Sequence, residues 1–190
     1  MIKFFIFLVL ICYPLNILLA DNDIIVLKIQ SSWNNVQTMS GEFSQLDPDG
    51  NLETGKFYFS KPYQSKFIYE NKDEDIITNE SLIRIVDKEG FKIDSYTIGD
   101  NFFKKILAND LDIKKELEFN FFEENEKSYR IGFKSPDSNS LSEVMLTFNK
   151  DTIDIEKWEI SDEFGNQTVL KFTKIKKNIF ISQNLFVVRY

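Results

Sequence analysis

Alternation of apolar and polar residues at period two runs through most of this chain and leaves little room for a fold that is not mainly β. Met39, Gly41, Phe43 and Gln45 alternate with Ser40, Glu42, Ser44 and Leu46. Gly55, Phe57 and Phe59 share one parity, which Lys61 continues up to Pro62; Phe67 and Tyr69 share one in the next stretch. Successive side chains of a strand point to opposite faces, so each set marks one face of a sheet. Asp47-Pro48-Asp49-Gly50-Asn51, Lys88-Glu89-Gly90 and Asp162-Glu163-Phe164-Gly165-Asn166 are turn sequences between such stretches. The pattern predicts strands over 39–46, 52–60, 66–70, 76–78, 82–86, 91–97, 118–122, 129–133, 143–148, 153–161, 167–174 and 185–188. A polar loop containing Ser135-Pro136-Asp137 interrupts them. The 19 phenylalanines suit a sheet with a large apolar interior. No repeat or linker divides the chain, so one mainly β domain with helices on one side is expected.

Two segments read as helices. Over 23–37, Ile25, Ile29, Trp33 and Val36 recur on one face, and Asp23 is placed to cap the start. Over 100–108, Asp100 can cap a short helix in which Phe102 pairs with Ile106 and Phe103 with Leu107. So short a helix must dock to be stable. It either closes a barrel end or forms a lid over a cavity.

The N-terminus has the order of a signal peptide. Lys3 precedes an apolar run from Phe4 to Leu19, in which Asn16 is the only strongly polar residue, and Ala20 precedes Asp21-Asn22-Asp23. Residues 1–20 are expected to be removed, leaving 21–190 as a single domain. Leu18, third before the cut, is bulkier than the ideal alanine. Cys12 follows Ile11 and is followed by apolar residues, unlike a lipidation cysteine at a cleavage point. The mature chain then has no cysteine and needs no disulfide. A retained anchor and a lipid on Cys12 are the alternatives; the apolar run is slightly short for a bilayer. Losing Lys3 with the leader takes the formal charge from −7 to −8. Such a chain, with its basic residues scattered, is a poor nucleic-acid or anionic-membrane binder.

Histidine is absent, which removes the commonest general base and metal ligand. Without a mature cysteine, the usual nucleophile triads are excluded as well. Gly99 stands alone rather than in a phosphate-binding loop. Asp73-Glu74-Asp75 and Glu123-Glu124 read as solvated loop charges, not as a carboxylate pair across a cleft or a regular calcium loop. No catalytic residue, metal ligand or cofactor is expected.

Several weak motifs occur in a telling order: Phe43-Ser44-Gln45, a turn with Gly50, Gly55-Lys56-Phe57-Tyr58-Phe59-Ser60-Lys61-Pro62, then Ser65-Lys66-Phe67-Ile68-Tyr69. Leu146-Thr147-Phe148, the stretch from Trp158 to Thr168, and Asn184-Leu185-Phe186-Val187-Val188 follow. In this order they resemble the periplasmic outer-membrane lipoprotein carrier family over nearly all of the mature chain. That family has Arg-Pro where this chain has Lys61-Pro62. The resemblance implies an incomplete, unclosed antiparallel β-barrel with helices covering an apolar cavity. It also implies a soluble, monomeric periplasmic carrier without enzymatic activity. Such a carrier takes the acyl chains of outer-membrane lipoproteins from an ATP-dependent inner-membrane exporter to an outer-membrane receptor or acceptor membrane. On this reading Phe43, Phe57, Phe59, Phe67, Tyr69 and Trp158 line the cavity. Lys61 stands in for the closing arginine, keeping the charge but losing the planar donor fork. Its partner is expected to be a carbonyl or carboxylate oxygen of the lid around Gly99–Leu107, with Asp100 a candidate, or of a facing loop, the alternative being that Lys61 faces solvent at the strand edge. Phe102, Phe103, Ile106 and Leu107 belong to that lid. The alternatives are a lipid-anchored receptor or envelope sensor with a similar half-barrel, and a periplasmic interaction protein whose interior is only packed core.

N-terminal sequencing of the exported protein is expected to begin at Asp21, with recovery from the periplasm without detergent. Met1 retained on a protein found in the membrane pellet overturns this reading.

Overall fold

The computed structural model describes residues 16–79, 82–97, 102–134, 143–162 and 164–190, with backbone only at 16–21, 102–103 and 118. A helix, α1 (Asn16–Asn34), is followed by six strands: β1 (Thr38–Leu46), β2 (Leu52–Ser60), β3 (Gln64–Tyr69), β4 (Glu74–Asn79), β5 (Leu82–Asp87) and β6 (Lys92–Thr97). Two short helices, α2 (Phe102–Ile106) and α3 (Ile113–Glu116), precede β7 (Glu118–Glu124), β8 (Ser128–Lys134), β9 (Glu143–Asn149), β10 (Ile155–Ser161) and β11 (Gln167–Lys177). All eleven strands form one antiparallel sheet in the order β6-β5-β4-β3-β2-β1-β11-β10-β9-β8-β7. Each half is a meander, and the halves join where β1 pairs with β11, Phe43 facing Phe172. Among the described residues β6 and β7 each pair on one side only, so the sheet does not close.

The turns form as their residues require. In Asp47–Asn51 the Asp47 carboxylate accepts from the Asn51 N–H at 2.8 Å, and Gly50 takes φ of 86°. Asp162 does the same for Asn166, with Gly165 at 82°. Asp87 accepts from the Phe91 N–H at 2.8 Å, with Gly90 at 87°. A short acceptor side chain closes each loop, and glycine takes the left-handed position without steric cost.

The core lies on one face of the sheet. Phe43, Phe57, Phe59, Phe67, Tyr69, Trp158 and Phe172 are buried in a single cluster with Val26, Ile29 and Trp33 of α1 and with Ile106, Leu107, Leu111 and Ile113. Rings meet at their edges, as ring quadrupoles favour: Phe43 on Phe67 at 5.2 Å, Phe57 on Phe172 at 4.9 Å. Polar side chains of α1 hold the segment across from it. Trp33 Nε1 donates to the Ile106 carbonyl at 2.7 Å, Asn34 bonds both backbone groups of Leu111, and Gln30 Oε1 accepts from the Ile113 N–H at 2.9 Å.

Three expectations are corrected. The first helix spans Asn16–Asn34, so Asp23 is not its cap; it lies inside the helix and pairs with Lys114 at 2.6 Å. Val26, absent from the predicted apolar stripe, is fully buried. The segment expected as a last strand at 185–188 is a 3₁₀ turn, Gln183–Phe186. It lies on the sheet's outer face, where Ile181 and Phe186 cover Ile77 and Val86. A segment lying on a sheet face has no edge to pair with, and only the single bridge of Arg189 to Phe91 forms. The helix α3 was not foreseen; Asp112 caps it by accepting from the Lys115 N–H. Asp100, the Phe102 and Phe103 side chains, and residues 1–15 of the expected leader lie outside the described residues.

Gly55 is required by a close approach. A Cβ there meets the Ile68 carbonyl oxygen at 2.0 Å and the Phe43 ring at 2.8 Å. Gly55→Ala is expected to destabilise the protein by about 1–3 kcal/mol in chemical denaturation, the usual cost of overpacking; unchanged stability contradicts this packing.

Candidate functional site

The two halves of the sheet enclose a small apolar pocket. About 170 Å³ is bounded by Phe67 and Tyr69 of β3, Ile76 and Thr78 of β4, and Ile83 of β5 on one side. Gln45 of β1, Trp158 and Ile160 of β10, and Leu170 of β11 bound the other. Alternation explains this set. Phe67 pairs with Ile76, Thr78 with Ile83, Gln45 with Leu170, and Leu170 with Trp158, so every lining side chain projects from one face.

Of the residues read from the sequence, Phe67, Tyr69 and Trp158 are on this wall. Phe43, Phe57 and Phe59 are not; they stand behind it, with Phe43 edge-on to Phe67 and Tyr69, and Phe59 edge-on to Phe67. Strand parity places a side chain on a face but does not say which neighbour fills the space in front of it. Ile106 and Leu107 are buried in the main core, and no described residue of α1, α2 or α3 lines the pocket. Gln45, Ile76, Thr78, Ile83, Ile160 and Leu170 were missed as wall residues. Their parity was readable, but their meeting depends on which strands pair across the sheet.

The polar end of the pocket is firmly built. The Tyr69 hydroxyl donates to Gln45 Oε1 at 3.0 Å. Burial, then the nearby Glu53 and Asp75 carboxylates, push the Tyr69 pKa above its ordinary value, so the phenol stays protonated. The Tyr69 backbone is gripped on both sides: its carbonyl accepts from Lys88 Nζ at 2.6 Å, and its N–H donates to Asp75 Oδ1 at 3.3 Å. Lys88 and the buried Asp75 pair at 2.7 Å.

Lys61 lies at the end of β2, beside a larger depression of about 710 Å³ that is open to solvent and lined by polar groups including Gln64, Asn79 and Gln183. Its ammonium donates to the Trp33 carbonyl oxygen at 2.7 Å and sits 4.9 Å from the centre of the Trp33 ring. The partner is thus on α1, and the link to the expected lid is indirect, through the hydrogen bond of Trp33 to Ile106. Burial pushes the Lys61 pKa down to about 8, against the opposing pull of Asp110.

With a folded pKa near 8 and an unfolded value near 10.5, the unfolded chain binds more protons between those limits. The cost of the buried charge is therefore complete below pH 8 and is relieved as pH rises towards 10.5. Urea denaturation is expected to show the stability of the unmodified protein rising, relative to Lys61→Met, across that window. A constant difference contradicts the burial of this ammonium.

Comparison with known proteins sets this architecture in a family. The family model described as "Outer membrane lipoprotein carrier protein LolA" matches residues 34–189. The uncharacterized protein RP864 of Rickettsia prowazekii is 25% identical over 187 residues, covering 97% of this chain and 86% of that protein. Among solved structures, an uncharacterized conserved protein from Thermus thermophilus superposes with a TM-score of 0.53 at 10% identity, covering 87% of this chain and 93% of that one. This likeness shows a shared fold. A LolA superfamily protein from Nitrosomonas europaea matches with a TM-score of 0.43 at 10% identity over 85% of this chain and 96% of that one. MucB in its complex with MucA from Pseudomonas aeruginosa matches at 0.47 and 9% identity, over 86% of this chain. This chain spans about three-fifths of the length of the MucB chains it matches. Because the family model spans most of the chain and its unclosed antiparallel sheet, this protein belongs to the outer membrane lipoprotein carrier family, a group of soluble, non-enzymatic periplasmic proteins.

Proposed function

We propose that this protein carries the acyl chains of lipoproteins from an ATP-driven exporter in the inner membrane to a receptor or acceptor surface at the outer membrane. The observation that carries this reading is the pocket between the sheet halves, walled by Phe67, Ile76, Ile83, Trp158, Ile160 and Leu170 in a chain of the lipoprotein carrier family. A hydrocarbon chain in water loses about 0.8 kcal/mol for each methylene left unburied, so a soluble carrier must offer such a wall. A dry cavity of about 150 Å³ holds one benzene-sized group. The pocket as it stands therefore takes the end of one chain, and a whole chain needs the aromatic core to part from the helices. The contact of Lys61 with Trp33, and of Trp33 with Ile106, is the latch that this opening breaks. Expulsion of the cargo restores it.

Filling the pocket tests the reading. Ile160→Trp is expected to leave thermal stability nearly unchanged while weakening binding of a fluorescent C12 acyl probe by about tenfold or more, the worth of two excluded methylenes. Transfer of a triacylated lipoprotein from inner-membrane vesicles to acceptor membranes should fall in parallel. Phe67→Ala should weaken binding more than folding. Equal losses of stability and binding would make Phe67 an ordinary core residue, and full transfer by Ile160→Trp overturns the role of the pocket.

A further inference from the structure

The pocket is not uniformly apolar: Thr78, level with Ser65 in the register, lies on one part of the wall, and two larger polar side chains meet at the other end. Gln45 and Tyr69 face each other there, joined by the 3.0 Å hydrogen bond from the phenol to Oε1. Because the buried phenol stays protonated and donates, the Gln45 amide oxygen is its acceptor, and the amide nitrogen is left with two N–H donors. Among the described residues Gln45 Nε2 donates to none. A hydrocarbon chain alone has no use for such a group, and an apolar residue here would suit it better.

The surrounding charges define what the amide can receive. Glu53, opposite Gln45 in the sheet register, is paired with Lys72 at 2.5 Å. Asp75 is paired with Lys88 at 2.7 Å. Lys72 and Lys88 are thus each matched by an acid, and Lys72 also lies over the Tyr69 ring at 5.0 Å. A carboxylate arriving here would find both of these charges already engaged and would stand near two acids. A neutral acceptor meets no such penalty and gains a hydrogen bond. The site is also preorganised: the Asp75–Lys88 pair grips the Tyr69 backbone, the Phe43 ring packs edge-on at 5.1 Å, and Tyr69 in turn orients Gln45.

We propose that Gln45, oriented by Tyr69, anchors the neutral carbonyl of an ester- or amide-linked acyl chain, so that the pocket selects acylated cargo over free fatty acid. This rests on the acyl-carrier reading above and adds the chemical class of the headward contact. Gln45 is the contacting residue and Tyr69 a positioning residue.

The test measures displacement of a bound fluorescent acyl probe from the processed protein by three competitors. They are methyl laurate, pentadecane with the same number of heavy atoms, and laurate at pH 8. The unmodified protein is expected to prefer methyl laurate to laurate, and to show a stronger preference for methyl laurate relative to pentadecane than its Gln45 variant does. Gln45→Leu should lower the ratio of methyl laurate to pentadecane affinity by at least three- to tenfold, about the size of one net hydrogen bond. Tyr69→Phe should reduce the preference by less, and it serves where Gln45→Leu fails to fold. A preference unchanged in both variants overturns the anchor and leaves the acyl-carrier reading standing. Laurate bound as tightly as its ester overturns the selectivity for a neutral head. Failure of the probe and of all three competitors to bind the unmodified protein overturns the carrier reading, and the anchor with it.

Discussion

Burial of one aromatic sheet face is the constraint on which the rest of this structure depends. An eleven-stranded sheet whose edges stay apart cannot bury its own inner face by closing on itself. Phe43, Phe57, Phe59, Phe67 and Phe172 must be covered by something else. The curvature of the sheet brings β3–β5 towards β10–β11, and α1 with the segment from Ile106 to Leu117 covers the remainder. Each cover is partial, and the pocket is the space where the two halves of the sheet do not meet completely. A sheet that closed would leave no such seam, and a small domain with a filled core would have no room for a chain to enter.

Polar chemistry then decides how firmly each cover is held. The helical cover is attached to α1 by side-chain hydrogen bonds to backbone groups, from Gln30, Trp33 and Asn34. Such bonds contribute about 1 kcal/mol each and can exchange with water when the segment moves. Lys61 adds an ammonium whose burial is costly, so its contact with the Trp33 carbonyl is balanced rather than strong. The pocket wall is different. The buried Asp75 with Lys88, and the edge-on Phe43 ring, fix Tyr69 from the backbone outward. A site with a rigid wall and a detachable cover suits a protein that must take up an apolar ligand and let it go. On the proposed carrier reading, binding energy from an acyl chain would go into displacing the cover rather than into deforming the wall.

The outer face shows why this arrangement stays soluble. Ile77 and Val86 point away from the core by alternation and would form an exposed apolar patch. The C-terminal segment lies across them, with Ile181 and Phe186 buried and the Gln183 side chain bonded to Ser60. The same residues at the end of the chain that read as a strand from alternation are used as a strap, because the apolar surface to be covered lies on a face and not along an edge.

Local chemistry made much of this legible in the amino-acid sequence. Turn residues such as Asp47 with Gly50, and Asp162 with Gly165, act within five positions, so β2 was placed at its full extent, Leu52–Ser60, and β1, β10 and β11 were close to theirs. Parity likewise put Phe67 and Tyr69 on one face, because side-chain direction in a strand depends only on its own backbone. The tertiary structure alone decided what those faces meet. The seam between the halves depends on β1 pairing with β11, a contact between residues more than a hundred positions apart, and it brings Gln45 beside Tyr69 and puts Phe57 behind the wall instead of on it. The Lys61 partner was likewise beyond sequence reasoning, since the Trp33 carbonyl, which also accepts from the Val36 N–H at 3.1 Å, is open to a side-chain donor only because α1 ends there and the chain turns towards β1. Period and turn chemistry are properties of neighbours along the chain, whereas a pocket is a property of surfaces that meet only after the chain has folded.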